Sequence, residues 1–184
     1  MRLGCRDASV FEHLVVRHSV ALHGYLKRRA PGAADDLLSE VWLTAYARRA
    51  DYDPALGVPR AWFFGIARMQ LLAHYRRQRL AEPTAEAGVD VDGGWEAVDA
   101  RLDAARVAPQ LRAALGALPA IDRELLLLNA WEELTPTEAA TALGIPAGTA
   151  RSRLHRARVR MKAHLEAAAV SPNGSVERVR GHTS

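Results

Sequence analysis

Residues 134–162 read LTPTEAATALGIPAGTARSRLHRARVRMK, and the rest of the chain is best read outward from them. Thr135 suits an N-cap, Pro136 takes the first helical position where a missing N–H costs nothing, and Glu138 closes a capping box, so a helix starts here. Ala139, Ala140 and Leu143 give that helix an apolar face. Gly144 follows where a left-handed residue can end a helix and turn the chain. Ile145 plugs the turn and Pro146 opens a second helix, on which Ala150, Leu154, Ala157 and Met161 recur at helical spacing. Around that buried stripe Arg151, Arg153, Arg156, Arg158, Arg160 and Lys162 place six cations in twelve residues, beside Thr149, Ser152 and His155. These are donors for phosphates and base edges. A basic amphipathic helix is by itself often only a solvated face. Small residues at a helix crossing, a glycine at the corner and a basic second helix together predict a helix-turn-helix that meets duplex DNA.

Composition sets the frame for this motif. Of 184 residues 49% are hydrophobic and 6% aromatic, which excludes wholesale disorder, while Ala, Leu and Arg dominate over β-branched runs and predict an all-α protein. The net charge of +4 is unevenly spread: residues 1–80 carry 13 Lys/Arg against 7 Asp/Glu, 81–104 carry 1 against 7, and 105–170 carry 9 against 6. Two basic blocks flanking an acidic segment favour a polyanionic partner. Cys5 is the sole cysteine, so no internal disulfide or Cys-rich zinc site can form, and no His pair has the spacing of a zinc-binding helix. His13, His18 and His23 read as surface or boundary residues, and no metal or cofactor is expected. No window approaches the ~20 apolar residues that span a bilayer, so a cytoplasmic protein without membrane insertion is expected.

Ser9 and Glu12 are spaced as a capping box, and Phe11, Leu14, Leu22, Tyr25 and Leu26 predict a first helix of about five turns, closed by Lys27, Arg28 and Arg29 and stopped by Pro31-Gly32. A second helix begins at Asp35 or Asp36 with Leu38, Val41, Trp42 and Ala45 inward and Asp36, Ser39 and Glu40 outward. After the loop 51–60, residues 61–79 form a third helix. Its first half is apolar nearly all round (Trp62, Phe63, Phe64, Ile66, Ala67, Met69) and predicts burial against several neighbours. Its second half sets Phe64, Arg68, Leu72, Tyr75 and Arg79 on one stripe and Gln70, His74 and Arg77 on another. Rings beside cations suit single-stranded nucleic acid, and a core helix with a solvated end has the same periodicity. Residues 81–104 read as an acidic linker carrying Trp95. Two further helices with Leu111, Ala114, Leu115 and Leu118, then Leu125–Leu128 and Trp131, prop the helix-turn-helix. The end of the chain has no pattern and reads as a disordered tail.

Three collinear pieces, DDLLSEVWLTAY, YDP…PRAWFFGIAR and LGIPAGTARSRLHRAR, resemble the extracytoplasmic-function (ECF) sigma factors of the sigma-70 family of bacterial RNA polymerase subunits. The resemblance covers roughly residues 10–79 and 107–166. It implies two small helical domains joined by a flexible linker: a region 2-like domain at 8–79, the linker at 80–104, a region 4-like helix-turn-helix domain at 105–168 and the tail at 169–184. It further implies that Asp35, Asp36, Ser39 and Glu40 dock on the clamp helices of the largest catalytic subunit of core RNA polymerase. Trp62, Arg68, Gln70, His74, Tyr75, Arg76 and Arg77 would hold the single strand of the −10 element. Thr149, Arg151, Ser152, Arg153, His155, Arg156 and Arg160 would read the −35 duplex. Family members are often held by an anti-sigma factor. Met69 stands where the family often has Asn, Ala73 where it has Asp, Ser39 where Gln is common and Ala150 where Val is usual; the first two remove polar groups beside the base pocket. Promoter DNA and core polymerase are thus the expected partners, and bond-making belongs to the polymerase. A stand-alone regulator would need a sensor or dimerisation domain, which residues 10–79 do not resemble, and a DNA-acting enzyme would need clustered carboxylates, a metal site or an activated nucleophile, which the sequence lacks.

Overall fold

The computed structural model describes residues 8–81 and 108–170, which form seven α-helices and one 3-10 turn, with no strand among the described residues. The first basic block supplies α1 (Ala8–Arg29), α2 (Ala34–Ala47), the 3-10 turn (Pro54–Leu56) and α3 (Pro59–Ala81). The second supplies α4 (Ala108–Gly116), α5 (Ala120–Ala130), α6 (Pro136–Leu143) and α7 (Ala147–Val170). The acidic linker from residue 82 on, Trp95 and residues 171–184 lie outside the described residues.

The α6–α7 corner forms as its local chemistry dictates. Thr135 Oγ1 accepts from the Glu138 N–H at 3.2 Å while Glu138 Oε2 accepts from the Thr135 N–H at 2.8 Å, and Gly144 sits at φ 67 in the left-handed region. Ala150, Leu154, Ala157 and Met161 are all buried. Elsewhere boundaries shift by a residue or two. Ala8, the first described residue, is already helical, so Ser9 and Glu12 both lie on α1. Helix α2 starts at Ala34, which leaves Asp35 and Asp36 in the first turn where the helix dipole favours carboxylates. The proline at 59 fits the first position of α3 and starts that helix two residues early.

Packing follows the apolar faces with four corrections. Leu37 is buried more deeply than Leu38, which only packs against the core margin. Met69 is 59% exposed, because the burial of α3 on all sides ends before that turn. Trp131, the C-cap of α5, is half-buried, with the Arg28 guanidinium 5.9 Å from its ring. His18, read as a surface or boundary residue, is buried against the Phe63 ring at 5.5 Å. Its pKa falls below the usual imidazole value because burial disfavours the cation, with Arg17 and Arg60 adding repulsion.

Both expected helical blocks are present, and they are packed on each other. Leu22, Leu26, Val41, Phe63, Phe64 and Leu71 belong to the same core as Leu125, Leu128, Leu134, Ala139 and Ala142. Helix α6 lies along α3, and the reason is a missing side chain: a Cβ on Gly65 would stand 3.3 Å from the Ala142 carbonyl oxygen. A smaller cluster of Ala114, Leu115, Leu118, Ala157 and Met161 ties α4 to α7. Arg123, itself buried, donates from Nε to the Leu115 carbonyl at 2.9 Å and from Nη2 to the Leu118 carbonyl at 3.0 Å. It thereby satisfies carbonyls that the end of α4 leaves without helical partners.

Candidate nucleic-acid interface

Helix α7 presents its functional side chains in three strips. At 100° per residue, Ser152, His155 and Arg156 form the crest opposite Ala150, Leu154, Ala157 and Met161, and all three are exposed. Arg151 is exposed beside them, and Thr149 is half-buried near the start of the helix, its carbonyl accepting from Ser152 Oγ at 3.0 Å. Arg153 and Arg160 occupy one flank, where the buried Asp122 carboxylate holds them: Arg153 Nη1 is 2.9 Å from Oδ1 and Arg160 Nη1 is 3.7 Å from Oδ2. On the other flank Arg158 Nη2 donates to Asn129 Oδ1 at 2.6 Å, and Asn129 Nδ2 in turn donates to the Leu134 carbonyl. Helix α5 thus braces α7 from both sides. A braced helix with a crest of short and cationic donors can enter a groove without reorganising.

The seven residues expected to hold a single strand do not form one platform. Trp62 and Tyr75 are thirteen residues apart, about 20 Å along the axis, and on different sides of α3. Trp62 is half-buried beside Tyr52, whose ring lies 5.5 Å away, and the Tyr52 hydroxyl donates to the Gly57 carbonyl at 2.9 Å. Met69, Ala73 and Arg76 continue the Trp62 side. Gln70 faces α2 instead and donates to Thr44 Oγ1 at 2.8 Å. Tyr75 turns inward, its hydroxyl donating to the Arg29 carbonyl, with the His74 ring against it at 5.5 Å. Arg68 is half-buried, Arg76 is exposed, and Arg77 reaches Glu40 at 3.6 Å. Tyr52 and Val58, the latter 48% exposed, join the Trp62 end. The sequence signal for them was the loop that leads into α3, whose aromatic and apolar residues have no periodicity to mark them.

On α2, Asp35, Asp36 and Ser39 are exposed and Glu40 is partly so. Asp35 Oδ1 lies 3.0 Å from His23 Nε2, and Ser39 Oγ donates to the Asp35 carbonyl at 3.0 Å. Leu43 extends the strip as an apolar residue 72% exposed, three residues beyond Glu40. An exposed leucine rimmed by acids marks an interaction surface better than the acids alone.

Residues 14–81 match the family Sigma-70 region 2, and residues 109–161 match Sigma-70, region 4. The chain is 34% identical over 173 residues to the RNA polymerase sigma factor CnrH of Cupriavidus metallidurans, covering 85% of this chain and 87% of that one. It is 32% identical over 154 residues to the ECF RNA polymerase sigma factor SigF of Caulobacter vibrioides, covering 82% and 83%. The chain belongs to the ECF sigma factors. Its structure is similar to CnrH solved in complex with the cytosolic domain of CnrY, with a TM-score of 0.56, 28% identity and coverage of 88% and 91%. The same fold is seen in the sigma factor RpoE of Bartonella quintana, solved with the anti-sigma factor NepR, at a TM-score of 0.57 and 20% identity. A sigma factor directs transcription initiation through core RNA polymerase and promoter DNA, and the crest of α7 lies within the region 4 match. No helix among the described residues is long and apolar enough to cross a membrane.

One charged cluster of this sigma factor escaped the sequence reading. Arg28 and Arg29, taken as the basic end of α1, point into the second block: Arg28 Nη2 is 2.6 Å from Glu132 Oε1, and Arg29 Nη2 is 3.3 Å from Glu124 Oε1. Arg29 and Glu132 are both buried, with Nη1 3.7 Å from Oε1. The Tyr25 hydroxyl donates to Glu124 at 3.1 Å, and Arg60 donates to the Glu132 carbonyl. Burial pushes the Glu132 carboxyl above the usual range, partly offset by Arg28 and Arg29. The partners are about a hundred residues apart, so no local spacing links them.

Proposed function

We propose that residues 8–79 dock on the polymerase clamp and capture the −10 strand, while residues 105–168 read the −35 duplex across an acidic linker at 80–104. The observation that carries this reading is the α7 crest, where exposed Ser152, His155 and Arg156 stand on a helix braced by Asp122 and Asn129. Asp35, Asp36, Ser39, Glu40 and Leu43 make the polymerase-facing strip. Trp62, with Tyr52 beside it, receives an unpaired base, and the exposed Arg76 follows the backbone. Arg153 and Arg160 act first as struts and second as phosphate contacts. The chain performs no bond-making; it works in the cytoplasm by placing polymerase and trapping a strand. Two weak readers on one polymerase gain from effective concentration. The neighbours solved with CnrY and with NepR support an anti-sigma factor as a further partner.

The test is reconstitution with core polymerase followed by run-off transcription. Asp36→Arg, which spares the Glu40–Arg77 pair, should abolish co-purification with core while circular dichroism stays unchanged. Retained one-to-one assembly would sink the strip assignment.

A further inference from the structure

Trp62 heads a row along the open side of α3. Met69, Ala73, Arg76 and Leu80 follow it, and at ~100° per residue all five fall within an arc of about 60°. Met69 is 59% exposed and Leu80 84%, while Ala73 is half-buried and Arg76 exposed. Single exposed apolar residues are ordinary, but a row of them in line with an aromatic ring and a cation marks a binding surface. The polar groups that flank the row are turned away from it. Gln70 donates to Thr44 Oγ1 at 2.8 Å, the Tyr75 hydroxyl donates to the Arg29 carbonyl, and Arg77 reaches Glu40 at 3.6 Å. What Met69, Ala73 and Leu80 offer a nucleic acid is therefore contact area with almost no hydrogen bonding, since a thioether sulfur is a weak acceptor and the other two side chains have none. Met69 is seven residues past Trp62, about 10 Å along the axis, or about three nucleotides at a stacked spacing of about 3.4 Å.

We propose that Met69 and Ala73 select thymine in the captured strand by packing against its C5 methyl group, with Leu80 extending the apolar row along the strand. This rests on the strand-capture assignment made above. Thymine places a methyl group on the edge where the other bases present only hydrogen-bonding groups. Laid on the row, that methyl gains by leaving water, whereas the amino groups that adenine and cytosine carry there would lose water and find no acceptor. Methionine suits the contact, because its unbranched, polarizable side chain adapts to the edge of a flat ring. The exposed Arg76, in the same row, keeps the phosphate backbone alongside.

The experiment uses holoenzyme assembled from the full chain and core polymerase, on templates whose −10 region is already unpaired and carries thymines, so that strand capture is read apart from duplex opening. Thymines of the non-template strand are replaced one at a time by deoxyuridine, which differs only in lacking the methyl group, and binding is read by competition. At one or two positions the change should weaken binding about fourfold, the equivalent of about 0.8 kcal/mol for one buried methyl group. At the same positions 5-methylcytosine should outbind cytosine by a similar factor. Met69→Gln, of similar length with a polar end, should bind thymine and uracil templates alike, and Met69→Leu should keep the preference. Discrimination that is absent at every position, that survives Met69→Gln, or that Met69→Leu abolishes equally, overturns the proposal. So does loss of core assembly by Met69→Gln on co-purification, which would make the row a protein interface. Trp62→Ala separates the proposal from the assignment beneath it. Unchanged capture of every melted template by that variant defeats the strand site itself, whereas weaker capture by it, with no thymine preference in wild type, defeats only the methyl contact.

Discussion

Changing Asp122 to Asn should weaken the fold and strengthen nonspecific DNA binding at the same time. The carboxylate is 4% exposed and sits in the first turn of α5, with Arg153 Nη1 at 2.9 Å and Arg160 Nη1 at 3.7 Å. Removing one member of a fully buried ion pair costs about 3–5 kcal/mol because a charge is left without compensation. Here the arginine side chains are 35% and 52% exposed, so both can turn to water, and the loss falls to about 1–2 kcal/mol. Loss of a carboxylate from the positive end of α5 adds a few tenths of a kcal/mol. Urea unfolding should show a lower midpoint at unchanged slope. The released guanidiniums become available to phosphate, and each additional contact steepens the log–log salt dependence by about 0.9, so the slope should grow by up to about 1.8. A wild-type midpoint with a wild-type salt slope would refute the bracing role of Asp122.

Arg156→Ala should lower −35 duplex affinity by about 1–3 kcal/mol and relax preference at one base pair if it reads a guanine, or weaken all sequences equally if it holds phosphate; competition binding with single-substituted duplexes distinguishes these. Gly144→Ala meets no neighbour within 4 Å, so its effect is backbone strain at φ 67 alone, about 1 kcal/mol, read as a drop in melting temperature. His18 has a lowered pKa in the fold, so its contribution to stability is present above about pH 6.5 and is lost as pH falls through the folded value. His18→Gln should flatten the stability-versus-pH curve in that window, and an unchanged curve would remove His18 as its source.

How far the sequence could be read depends on whether the causes were local. The α6–α7 corner was legible because each decision there is made within four residues: Thr135 and Glu138 cap, Gly144 turns, Ala150 to Met161 mark the buried stripe. The contents of the α7 crest followed from the same periodicity. What periodicity could not give was the fate of cations whose partners are remote. Arg153 and Arg160 face Asp122 across a helix crossing, and Arg28 and Arg29 face Glu132 and Glu124 across the whole chain. Trp62 and Tyr75 were grouped by chemistry although thirteen residues of helix turn them to different sides. Tyr75 and Gln70 then proved to hold α3 against α1 and α2.

These internal partnerships set the character of DNA binding. A cation already paired with Asp122, Glu40 or Asn129 must exchange that partner for a phosphate, so its net gain is smaller than that of a solvated arginine. Arg153, Arg160, Arg77 and Arg158 are in this position, whereas Arg151, His155 and Arg156 are exposed and enter no ion pair among the described residues. The isolated chain should therefore show a salt slope well below what its arginine count suggests. Mounted on polymerase beside the other reader, it no longer needs high intrinsic affinity, because effective concentration supplies the second binding event. Modest contacts also keep the chain from lingering on nonspecific DNA. If the wild-type slope already corresponded to the full set of α7 cations, the exchange would cost nothing and the bracing pairs would be absent in solution.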